Sequence, residues 1–118
     1  MSNTQKMLHK LLSANGAKWS NRGFNADTEV VKDFGDTTRE TDAILNSSAI
    51  LHCSHWGRLP ITGKDHLNFL QRMSTNDIES LENGRGIESV FTEAKGRVID
   101  LATLYHNAGT TLCIVSPD

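Results

Sequence analysis

The chain has 118 residues and a net charge of −2, with 37% hydrophobic and 22% charged side chains. That length and composition suit one globular domain around one core. They lack the basic excess on which nucleic-acid binding through charge depends, and no apolar run approaches the ~18 residues of a membrane span.

The first 26 residues hold Lys6, Lys10, Lys18 and Arg22 and no acid, a bias shared with organelle leader peptides. Met7, Leu8, Leu11 and Leu12, however, fall at helical spacing, and Asn15-Gly16 is a normal helix stop. The simpler reading is a helix over residues 4–14 that opens the domain. Residues 19–37 are polar and turn-rich, with one short strand candidate at Glu29-Val30-Val31. A second helix is expected over residues 37–47, capped by Thr37 or Thr38, with Ile44 and Leu45 pointing inward. Ala49–Cys53 reads as a buried strand. Arg58–Thr62 continues extended, and Pro60 marks an edge or a bulge. Gly63 breaks that strand, and a helix starting at Asp65 turns Leu67, Leu70 and Met73 to one face.

After the Asn83-Gly84 turn the period changes to two. Ile87–Thr92, Arg97–His106 and Thr111–Val115 read as strands joined at Ala94-Lys95-Gly96 and Asn107-Ala108-Gly109. The predicted class is α+β, an antiparallel sheet with two to three helices. The last strand, Thr111–Val115, is expected to leave an unpaired edge through which the chain could self-associate.

Several motifs invite chemistry. His52-Cys53-Ser54-His55 has metal-ligand residue types, yet a zinc site needs three or four ligands and no second cluster completes the shell. Cys53 has the right type for a nucleophile, but nothing in the sequence lowers its thiol pKa. Two cysteines, Cys53 and Cys113, form no disulfide framework, and their apolar settings suit buried free thiols in a reducing compartment. Thr62-Gly63-Lys64-Asp65 fails as a phosphate loop, because Gly57 is one residue too distant and Asp65 stands where a hydroxyl is required. Asp100 is a lone carboxylate between Ile99 and Leu101 and needs either solvent or a partner.

The order of these features resembles the N-terminal folate-binding part of the glycine-cleavage T-protein superfamily. Gly16-Ala17-Lys18, Ser54-His55, Gly63-Lys64-Asp65, Thr75-Asn76-Asp77, Gly84 and Gly96-Arg97-Val98-Ile99-Asp100 match its pattern in sequence. His52 stands where that pattern has Asp. The transferases of the superfamily carry a second, catalytic acid after the hairpin, and here that position is Leu101. Glu88-Ser89-Val90-Phe91-Thr92, Ile99-Asp100-Leu101-Ala102 and Val115-Ser116-Pro117 are more similar to the YgfZ-like branch of plastids and cyanobacteria.

The resemblance covers nearly all of residues 1–118. It implies a partial folate-binding, aminomethyltransferase-like domain that stops before the branch's cysteine-bearing signature. It also implies a role in iron–sulfur cluster assembly or repair, with tetrahydrofolate or a derivative as cofactor and iron–sulfur proteins or their assembly machinery as partners. Within the chain it assigns no catalytic residue and no metal ligand. Asp100 is expected to accept from pterin N–H groups, with Tyr105 and Asn76 as supporting polar contacts. The expected location is a soluble, reducing compartment: plastid or mitochondrion in a eukaryote, cytoplasm otherwise. The competing readings are a tetrahydrofolate-dependent aminomethyltransferase and a truncated, non-catalytic interaction module.

Overall fold

The computed structural model describes residues 2–21 and 29–117, and the chain divides into two compact units, Met1–His55 and Trp56–Asp118.

The first unit begins with α1 (Asn3–Ala14). Its entry is a capping box: Ser2 Oγ accepts from Gln5 N at 3.2 Å, and Gln5 Oε1 accepts from Ser2 N at 2.7 Å. Asn15 caps the other end and Gly16 leaves it at φ +89°, the stop expected from the sequence. A short hairpin follows, β1 (Lys18–Ser20) on β2 (Val30–Asp33), in antiparallel register with Trp19 opposite Val31.

The next helix, α2 (Thr37–Asn46), is capped by Asp36, whose carboxylate accepts from Arg39 N at 3.0 Å. The expected caps Thr37 and Thr38 lie inside it, because aspartate one residue earlier reaches the free amides first. Ile44 and Leu45, expected to point inward, are exposed. Ala49–Cys53, expected as a buried strand, forms neither strand nor helix; Ile50 is 97% exposed. Among the described residues that short apolar run has no strand paired with it, and apolar composition alone creates no hydrogen-bonding partner.

The second unit holds a four-stranded antiparallel sheet of order β3-β6-β5-β4, where β3 is Gly57–Thr62, β4 Arg85–Thr92, β5 Val98–Asn107 and β6 Thr110–Val115. One helix, α3 (His66–Met73), supplies Leu70 to its core. The core consists of Leu70, Ile78, Ala102, Leu104 and Cys113, with Ile61, Leu67, Ile87, Phe91 and Val115 packed around it. β6 is an interior strand, with Leu59 opposite Cys113 on one side and Leu104 opposite Cys113 on the other. The expected open edge at Thr111–Val115 is therefore filled. Within the chain β3 pairs along the whole of β6, which removes the reason for self-association through that strand. The β5–β6 turn places Ala108 at φ +49° and Gly109 at φ +77°, the two left-handed residues that a tight hairpin requires.

Candidate functional site

β5 organises the site, because alternate residues of a strand face opposite sides of its sheet. Ala102 and Leu104 are sealed in the core, so Leu101, Thr103 and Tyr105 share the other face. Leu101 is 54% and Tyr105 49% exposed there. Register adds Val90 opposite Leu101, Glu88 opposite Thr103, and Leu112 and Ile114 from β6. This open face is mostly apolar and carries a carboxylate at Glu88 and a phenol at Tyr105. Tyr105 lies opposite Gly86, and its ring covers the glycine so closely that a Cβ there would come within 2.7 Å of it. Glycine at position 86 is thus what lets the ring lie flat on the sheet.

Asp100 belongs to the opposite face. Ile99 is an extra residue in β5, since Phe91 pairs with Asp100 while Thr92 pairs with Val98. Beyond that bulge, Asp100 falls on the Ala102–Leu104 side. Its Oδ2 accepts from Ser116 N at 2.8 Å, and its Oδ1 accepts from Leu101 N at 2.8 Å and from the Ser116 hydroxyl. The Ser116 hydroxyl, opposed in part by desolvation and helped by the Ser116 and Leu101 amides, holds the carboxyl below its usual range. Asp100 thus stays ionised and ties the end of β6 to β5.

Asn76 sits on the outer edge of β4. Its backbone N–H donates to Ser89 Oγ at 3.1 Å, its side-chain Nδ2 to the Glu88 carbonyl at 2.9 Å, and its Oδ1 accepts from Asp77 N at 2.9 Å. With Thr75 N donating to the Val90 carbonyl at 3.1 Å, the Thr75-Asn76-Asp77 segment covers the strand edge that β4 would otherwise expose. The three residues singled out in the sequence are therefore not one constellation. Tyr105 faces the open side, Asp100 the core side, and Asn76 the edge.

Sequence reasoning missed a buried polar bridge. His66, at the start of α3, donates from Nδ1 to the Gly63 carbonyl at 2.7 Å, and its Nε2 lies 3.0 Å from Thr111 Oγ1. His106 Nδ1 lies 3.0 Å from the same hydroxyl. The signal was a histidine at the first turn of an amphipathic helix, which periodicity does not register. Cys113 is a core residue, and burial pushes its thiol pKa up, away from nucleophilic use. Among the described residues no three His, Cys, Asp or Glu side chains gather as a metal site, and no helix is long and apolar enough to cross a membrane.

The sequence pattern of the GCVT N-terminal domain matches residues 8–118. The chain belongs to that family. Among its curated relatives, a chloroplastic protein of Arabidopsis thaliana, provisionally named a transferase, is 33% identical over 106 residues, covering 90% of this chain and 23% of the relative. A mitochondrial aminomethyltransferase of Dictyostelium discoideum is 38% identical over 72 residues, covering 61% of this chain and 18% of the relative. An aminomethyltransferase of Bacillus velezensis is 28% identical over 87 residues, covering 74% and 24%. The chain thus spans about a quarter or less of the length of these relatives. In this GCVT N-terminal domain the α+β class and the antiparallel sheet agree with the sequence reading.

Proposed function

We propose that this chain is the N-terminal part of a folate-binding protein that assists iron–sulfur cluster assembly or repair and performs no one-carbon transfer. The observation that carries the reading is Leu101. It stands on the same open face as Tyr105, two same-face positions earlier in β5, where the similar transferases carry an acid, and a leucine side chain can neither take nor relay a proton. The ligand is tetrahydrofolate or a derivative, and the clients are iron–sulfur proteins or their assembly machinery.

Tyr105 offers a phenol on the open face, flanked by apolar surface suited to a flat heterocycle. Asp100 acts from the other face: three of its four acceptor positions are used internally, and through Ser116 it holds the end of β6, the strand that brings Leu112 and Ile114 to the open face. Asn76 acts at the neighbouring strand edge. The names of two relatives, one chloroplastic and one mitochondrial, support an organelle as the location.

Calorimetric titration of the native protein with tetrahydrofolate and its 5-formyl derivative tests the reading. Binding that falls about tenfold or more in Tyr105→Ala and Asp100→Asn supports it. Unchanged affinity in both variants removes these residues from the site, and absence of any binding removes folate from the account. The alternative, a tetrahydrofolate-dependent aminomethyltransferase, is favoured by the names of the Bacillus and Dictyostelium relatives. Transfer activity in a direct assay would decide for it.

A further inference from the structure

Among the described residues of the first unit no hydrophobic side chain is fully buried, so polar and aromatic contacts do much of the gathering there. Their centre is Trp19 on β1. Its indole stacks on the His9 ring with centroids 4.1 Å apart and planes 15° apart. It meets the His52 ring edge-on at 5.9 Å, and its Nε1–H donates to Ser13 Oγ at 3.0 Å. One side chain thereby joins α1, β1 and the segment that follows α2.

The two imidazoles on this indole have different surroundings. His9 Nε2 lies 3.1 Å from the Glu29 carboxylate. At His52 the Nδ1 is shut off from solvent without a hydrogen bond among the described residues. The titratable groups that act on it are His55, along its own segment, and His9, across the indole, both of which become cations when protonated. From β1, Lys18 is directed at Asp33, 3.7 Å away, and Glu29 is engaged by His9.

We propose that His9, Trp19 and His52 form a pH-sensitive clasp in the first unit, closed while His52 is neutral and opened when His52 takes a proton. Burial first, then repulsion from charged His55 and His9, holds the pKa of His52 below its ordinary value. The folded clasp accordingly binds fewer protons than the opened chain. Its stability is complete above the opened-chain value of about 6.5 and is lost as pH falls from there through the lower folded value. Opening withdraws the indole from Ser13 and releases α1 from β1. A histidine cluster that responds over this range is an ordinary means of coupling conformation to compartment pH.

The test is NMR on the intact chain from about pH 7.5 to about pH 5, a window that brackets an ordinary imidazole near 6.5. It follows the Trp19 indole N–H, distinguished from Trp56 with Trp56→Phe, and the His52 ring, assigned with His52→Gln. The expected result is that the indole N–H shifts and loses protection from exchange over the range in which His52 is protonated, below about 6.5. In His52→Gln that transition disappears. An indole signal that stays fixed while His52 titrates overturns the proposal, as does the same transition persisting in His52→Gln. Should His52→Gln fail to fold, the unmodified chain still decides: titration of His52 at or above about 6.5 contradicts the clasp, and coincident lower titration and indole release support it.

Discussion

In the second unit, Leu70, Ile78, Ala102, Leu104 and Cys113 are sealed from solvent where α3 meets the sheet. In the first unit no hydrophobic side chain among the described residues reaches that state, and Trp19 joins the elements through two imidazoles and a hydroxyl. Apolar burial is insensitive to pH and grows with area, roughly 25 cal/mol per Å². A stacked ring or a single hydrogen bond contributes about 1 kcal/mol and changes with the charge on its partner. The difference teaches that one short chain can combine a sheet built on apolar burial with a helix and hairpin gathered chiefly by aromatic and polar contacts.

A matched pair of truncations tests that contrast most severely. Leu104→Ala should cost about 2–5 kcal/mol, because it empties part of a sealed core. Leu45→Ala, on the exposed side of α2, should change stability by no more than about 0.5 kcal/mol. Equal losses in denaturant titrations would erase the distinction between the units.

Thr111→Val examines the polar part of the durable unit. It keeps the shape and removes the hydroxyl shared by His66 and His106, leaving ring nitrogens without a partner. A loss of about 1–3 kcal/mol is expected by the same titration.

Asp100→Asn should cost about 1 kcal/mol near neutral pH, through weaker hydrogen bonds to Ser116. Its clearer signature is in acid. The folded carboxyl lies below its unfolded value near 3.9, so its contribution is complete above that pH and is lost as pH falls toward the folded value. Thermal unfolding scans should show a shallower acid slope in the variant, and an unchanged slope would mean that Ser116 does not hold this carboxylate. The smallest effect is expected at the β5–β6 turn, where Ala108→Gly relieves a left-handed alanine and should stabilise the chain by up to about 1 kcal/mol, read as a raised Tm.

Much of this architecture was legible in the sequence because its signals are local. The Asn15-Gly16 stop of α1, the Asp65 start of α3, and the glycines and alternating residues of β4 to β6 each mark their own element. What escaped depends on partners distant in the chain. Nothing near Thr111–Val115 reveals that Gly57–Thr62 pairs with it, so an interior strand read as an edge. Lys18–Ser20 is too short to show a period, and it is a strand because Val30–Asp33 lies beside it. Ile44, Leu45 and Ile50 are apolar yet exposed, and composition alone cannot separate such residues from a core. The candidate residues were chosen by type; alternation along β5 puts Asp100 and Tyr105 on opposite faces, and the place of Asn76 follows from its bonds to distant β4.

The central claim is that the open face takes folate while Leu101 withholds proton transfer. The most direct measurement is folate binding and aminomethyl transfer assayed side by side on the native protein that contains this chain. The account predicts saturable binding of tetrahydrofolate with no transfer above the uncatalysed rate. Transfer that depends on the protein and saturates with tetrahydrofolate would contradict it and restore the transferase reading.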